Sequence, residues 1–170
     1  MSKRSTLVRA ALVTAAATAA VAALAVPASA ASGSASHNGF TLTASNATGI
    51  AAAGETITVT GSGYNPANGY YVALCAVPED YSYGTKPSPC AGGDGQGSSG
   101  VAASAWATNL PGGTSTIATN GTFTTQIHIA RTNSGLDCAD AAVTCAIVSR
   151  RDHLNANDRT ADVFIPVSFS

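Results

Sequence analysis

Charge is scarce in this chain: only 10% of its 170 residues are Asp, Glu, Lys or Arg, and the formal balance is −1. A surface so sparsely charged does not gather phosphate backbones by counterion release, so direct nucleic-acid binding is not expected. Aromatic residues make up 6%, with Trp106 the single tryptophan. Cys-x-x-Cys pairs and Cys/His clusters at zinc spacing are both missing, so the four cysteines read as disulfides, and neither a metal nor a cofactor is expected. The sequence has no Gly-x-Ser-x-Gly elbow, and nothing in the spacing of His37, His128 and His153 sets a base beside a nucleophile. An enzyme is therefore not expected. Beyond residue 30 no apolar run approaches the roughly 18 residues that span a bilayer.

What is present begins with an address. Lys3, Arg4 and Arg9 form a basic head, residues 10–26 are an apolar run, and Ala28-Ser29-Ala30 is a small-x-small cleavage pattern. Residues 1–30 are expected to be a signal peptide, residues 31–38 a flexible leader, and residues 39–170 one domain. The product is expected outside the cell, in the medium or at the cell envelope, as a monomer. After residue 30 five basic residues face nine acidic ones, so the mature surface is weakly acidic.

From Gly39 onward short β-rich runs alternate with Gly, Asn, Pro and Ser, the spacing of an all-β sandwich. Strands are expected at 40–43, 55–60, 70–77, 101–107, 123–129, 143–149 and 163–169, with no convincing helix. Phe123, Thr125, Ile127 and Ile129 point one way, and Thr124, Gln126 and His128 the other. Pro166 lacks an N–H for a ladder, so the last strand is an edge or is bulged. Seven strands give an immunoglobulin-like Greek-key β-sandwich. Its expected core is Ile57, Val59, Val72, Leu74, Phe123, Ile127, Ile129, Ile147, Ile165 and Val167.

Export to an oxidising compartment makes disulfides the default. Neighbours in sequence meet across short turns in a sandwich, so Cys75–Cys90 and Cys138–Cys145 are expected over the two other pairings. Neither spacing matches the antibody bridge that joins the two sheets.

Residues 59–64, Val-Thr-Gly-Ser-Gly-Tyr, lead into Tyr71-Val72-Ala73-Leu74-Cys75. Leu136-Asp137-Cys138, then Cys145-Ala146-Ile147-Val148, and finally Val167-Ser168-Phe169 follow in order. This order, with two local disulfides, resembles the neocarzinostatin family from residue 42 to 169. That family comprises secreted actinobacterial apoproteins of enediyne chromoproteins, alongside a wider group of uncharacterised actinobacterial proteins. The resemblance implies a seven-stranded immunoglobulin-like sandwich holding an apolar, DNA-cleaving chromophore between its body and a β-ribbon ahead of the second cysteine pair. Only residues 131–137 are available for that ribbon here, and Arg150 and Arg151 stand where a carrier would present small neutral groups. The expectation is a preserved sandwich that does not hold an enediyne as the carriers do.

The candidate ligand-binding residues are Val77, Tyr81, Tyr83, Trp106, Ala146, Val148 and Arg150. Tyr81 and Tyr83 ride the long loop 78–100 tethered by Cys75–Cys90, and a tethered aromatic tip makes a contact surface. The bland alternatives are a solvated loop and a core tryptophan packed on the first disulfide. Asp152, His153, Asn155, Asn157, Asp158 and Arg159 form the densest polar cluster, but their spacing does not reproduce a calcium loop; they read as a turn satisfying its own backbone. Three functions fit: a secreted binding module for a small apolar or amphipathic ligand or a surface partner, a structural or interaction protein of the cell envelope without a pocket, and a carrier-like antimicrobial whose action on DNA belongs to its cargo. An apolar concavity near Val77, Trp106, Ala146 and Val148 separates the first from the second: open favours a binder, filled favours a structural protein.

Overall fold

The computed structural model describes residues 30–92, 100–133 and 135–170. Residues 1–29 of the expected signal peptide and residues 93–99 of the long loop lie outside the described residues. Among the described residues ten strands form, not seven: β1 (Ala31–His37), β2 (Phe40–Thr48), β3 (Glu55–Ser62), β4 (Tyr70–Val77), β5 (Ser104–Ala107), β6 (Phe123–Ile129), β7 (Thr132–Asn133), β8 (Leu136–Asp137), β9 (Thr144–Arg151) and β10 (Val163–Pro166). They make a four-stranded sheet ordered β1-β2-β3-β6, a second ordered β10-β9-β4-β5, and a two-stranded ribbon β7-β8. All ladders between these strands are antiparallel. No helix among the described residues is long and apolar enough to cross a membrane.

The alternation in β3 and β6 does what period 2 requires. Ile57, Val59, Phe123, Ile127 and Ile129 are buried against Val72, Leu74, Ile147 and Ile165 of the opposing sheet. Val167 departs from the expected core: β10 ends at Pro166, and Val167 is only partly buried. Pro166 stands on β10, the edge of its sheet, where no further strand needs its missing N–H.

Three strands went unforeseen. Ala31–His37 is not a flexible leader but strand β1, in register with β2 from Gly33↔Ala44 to His37↔Phe40. Its alternation is hidden because its inward positions are Gly33, Ala35 and His37, residues too small or too polar to register as an apolar stripe. Small size is the requirement there: a Cβ on Gly33 would lie 2.6 Å from both Ala47 Cβ and Ile165 Cγ2. The other two strands are the ribbon, two residues per strand, with Thr132 opposite Asp137 and Asn133 opposite Leu136.

Both expected disulfides form, Cys75–Cys90 and Cys138–Cys145. The first closes a return of the chain beside β4: Ser88 and Ala91 N–H donate to the carbonyls of Ala76 and Leu74, and Ala76 N–H donates to Pro89. That segment continues the edge position that β5 takes opposite residues 70–73.

Candidate functional site

The outer face of the β10-β9-β4-β5 sheet is where the expected site residues meet. Counting back by twos from Val77 puts Cys75, Ala73 and Tyr71 outward, and the same alternation in β9 puts Ala146, Val148 and Arg150 outward. Register then aligns them in rows: Arg150 stands opposite Tyr71 and Tyr71 opposite Trp106, while Cys75 faces Ala146 and Val148 faces Phe164. Five of the seven expected residues thus share one face across three strands.

The lower rows are covered. Ala73, Cys75, Ala146, Val148 and Phe164 form a second buried cluster, with Val77, Tyr81 and Cys90 packed onto it. The cover is the cystine loop itself. Tyr81 adopts a left-handed backbone (φ 55°), and Tyr83 stacks on Phe164 at 4.7 Å and on His37 at 3.6 Å. His37 in turn bonds through Nδ1 to the Asp162 carbonyl at 2.9 Å, so the loop is clasped to β1 and β10. The concavity expected near Val77, Ala146 and Val148 is therefore occupied by the protein's own tyrosines, because the fifteen-residue staple is long enough to fold back across the sheet.

In the upper row Tyr71 and Trp106 are buried and Arg150 is half-buried. A cavity of about 460 Å³ lies between this row and the end of the cystine loop, lined by Tyr71, Lys86, Pro87, Ser88, Pro89, Cys90, Arg150, His153 and Ala156. That volume falls within the roughly 300–1,000 Å³ usual for small-molecule sites. Arg150 is half-buried with its guanidinium 5.4 Å from the centre of the Tyr71 ring. Burial, then the nearby Arg159, lowers its pKa from the ordinary arginine value. The Tyr71 hydroxyl and His153 Nδ1 are 2.6 Å apart. Trp106 sits behind this wall, 5.3 Å from His153 and 6.3 Å from Tyr71 between ring centres. Its indole N–H donates to Asp152 Oδ2 at 3.1 Å, so a carboxylate rather than the first disulfide fixes the tryptophan. Gly69 makes room for this bond, since a Cβ there would collide with the same carboxylate.

The polar cluster is a turn, as expected, with added roles. Asp152 accepts from Leu154 N–H and Asp158 from both the N–H and hydroxyl of Thr160. Arg151 alternates inward, where it lies over the Tyr70 ring at 5.2 Å and 3.9 Å from Asp158. Arg159 pairs with Asp162 at 3.2 Å. A second cavity of about 460 Å³ lies at the foot of the ribbon, where Tyr81 and Arg131 meet the Cys138–Cys145 bridge, Val167 and Phe169.

Of the expected site residues, Arg150 lines the first cavity and Tyr81 the second; Trp106 backs the first; Val77, Ala146 and Val148 lie beneath the loop, and Tyr83 clasps it. Tyr71 and Lys86 are cavity residues that were not expected at a site, and His153 was expected only in a turn. Extending the outward alternation of β4 by three steps from Val77 finds Tyr71; no local signal brings Lys86 or His153 to it.

Residues 42–167 match the family profile described as the Neocarzinostatin family. The chain belongs to that family. Macromomycin is a solved structure similar to it, with a TM-score of 0.49 and 19% identity, covering 77% of this chain and 99% of that chain. A relative in Corynebacterium glutamicum, named thiamine biosynthesis protein X, is 32% identical over 118 residues, 69% of this chain. The chain spans 57% of that relative's length.

Proposed function

We propose that this member of the neocarzinostatin family is a secreted, non-enzymatic binding protein for a small molecule, held on the outer face of the β10-β9-β4-β5 sheet. The observation that carries this reading is the cavity of about 460 Å³ between Tyr71, Arg150, His153 and the cystine loop. Its floor is strand and one wall is stapled by a disulfide, so little ordering is left to oppose binding. The covered lower rows and the short ribbon favour a ligand smaller than the chromophores of the family's antibiotic carriers. The test is native mass spectrometry of protein purified from its producer, followed by calorimetry with whatever co-purifies. Thiamine and its phosphate esters belong in the panel because of the Corynebacterium relative's name. A stoichiometric adduct whose affinity drops in a Tyr71→Ala variant supports the reading; a ligand-free protein that binds nothing in the panel counts against it.

A second reading, an interaction protein of the cell envelope, draws on Tyr81 and Tyr83 filling the lower face. It predicts retention of the intact protein on isolated cell walls with no small-molecule adduct.

A further inference from the structure

We propose that the cavity bounded by Tyr71, Lys86, Arg150 and His153 takes a small aromatic anion, a carboxylate or phosphate monoester, with its charge on Arg150 and its ring against Pro87-Ser88-Pro89. The inference rests on the small-molecule reading and names the class of ligand.

Charge distribution is the first argument. Beyond residue 30 the chain carries five Lys and Arg against nine Asp and Glu, yet two of those five cations and a histidine line this cavity, and among the described residues no carboxylate does. An acidic protein that gathers its few cations into one concave site creates a local positive potential there, focused by the low-dielectric walls. Asp152 is bonded to the Trp106 indole and the Leu154 amide, and Asp162, which attracts Arg150 electrostatically, forms its ion pair with Arg159.

Geometry is the second. Arg150 contacts the Tyr71 ring, and among the described residues no carboxylate lies within ion-pair distance of its guanidinium. A guanidinium held by an aromatic face keeps its edge donors for a bidentate acceptor, the shape of a carboxylate or phosphate. Half burial strengthens that bond, since the guanidinium has already lost part of its water. The remaining wall carries Pro87 and Pro89, which add no N–H donor and suit a ring rather than a sugar.

Isothermal calorimetry on the disulfide-intact protein with quinoline-2-carboxylate, its neutral carboxamide and inorganic phosphate tests this. The Trp106 indole N–H resonance reports occupancy, because that ring backs Tyr71 and His153. The carboxylate is expected to bind about tenfold or more tighter than the carboxamide, with inorganic phosphate weaker than the carboxylate for want of a ring. Arg150→Gln should abolish the preference for the anion and Arg150→Lys restore part of it. Lys86→Gln, at an exposed position that leaves the fold untouched, should weaken the carboxylate about 2–3-fold, more at low salt. Equal binding of carboxylate and carboxamide, unaffected by Arg150→Gln, overturns the anion assignment while leaving a small-molecule pocket. No binding of any of the three overturns both.

Discussion

Tyr64 and Asp162 are the two side chains whose surroundings bear most directly on stability. Tyr64 is enclosed among Phe40, Tyr70 and Phe123, and burial pushes its phenol well above the ordinary tyrosine range. Its hydroxyl donates to Ser149 Oγ at 2.6 Å, and Ser149 donates onward to the Ala161 carbonyl at 3.1 Å. Tyr64→Phe keeps the packing and removes the hydrogen bond that Ser149 Oγ accepts; a loss of about 1–2 kcal/mol in denaturant unfolding is expected. A neutral outcome would mean that the hydroxyl chain contributes nothing net. Asp162 is fully buried, and desolvation lifts its carboxyl from 3.8 to about 7 in spite of Arg159. Because the native group keeps its proton to higher pH than the unfolded one, its contribution to stability is complete below 3.8 and is lost as pH rises through about 7. The difference in melting temperature between wild type and Asp162→Asn should therefore move in the variant's favour from pH 4 to pH 8. A constant difference across that range rejects the assignment.

Among the elements, β1 and the cystine loop are the ones to test. Strand β1 packs through Gly33 against Ala47 and Ile165, so Gly33→Val should detach it, at a cost of about 1–3 kcal/mol. Hydrogen exchange is the direct measurement: amides of residues 33–37 should lose protection while those of β3 and β6 keep theirs. Uniform protection in the variant would show that β1 tolerates the bulk. The loop closed by Cys75–Cys90 spans 15 residues, for which the chain-entropy model gives about 3 kcal/mol. Replacing both cysteines by Ala should do more than lower stability. With the staple gone, Tyr81 and Tyr83 release their hold on Ala146, Val148 and Phe164, and an apolar-surface dye should bind more strongly under native conditions. A less stable variant with unchanged dye binding would show that ring stacking alone holds the loop down.

For the molecule as a whole, the outer face of the β10-β9-β4-β5 sheet has its lower half clasped by the cystine loop and a cavity beside its upper half. Much of this was legible in the chain. Period-2 alternation in 55–60 and 123–129 determined two core strands and their buried faces, because one-sided burial leaves no other register. The nearest-neighbour pairing of four cysteines also followed from the sequence. Strand β1 did not, since Ala, Ser and Gly carry no apolar signal and their fit depends on what Ala47 and Ile165 leave free. Nor did the fate of the concavity: whether Tyr81 and Tyr83 point to solvent or lie across β9 and β10 depends on contacts more than sixty residues away, Phe164 among them. Lys86 and His153 reach one cavity only after a disulfide return and a β-ladder have brought residues 86 and 153 together. Local spacing determines which face a side chain takes on its own strand; which strands and loops meet across that face is decided by long-range pairing and by the volume left to fill.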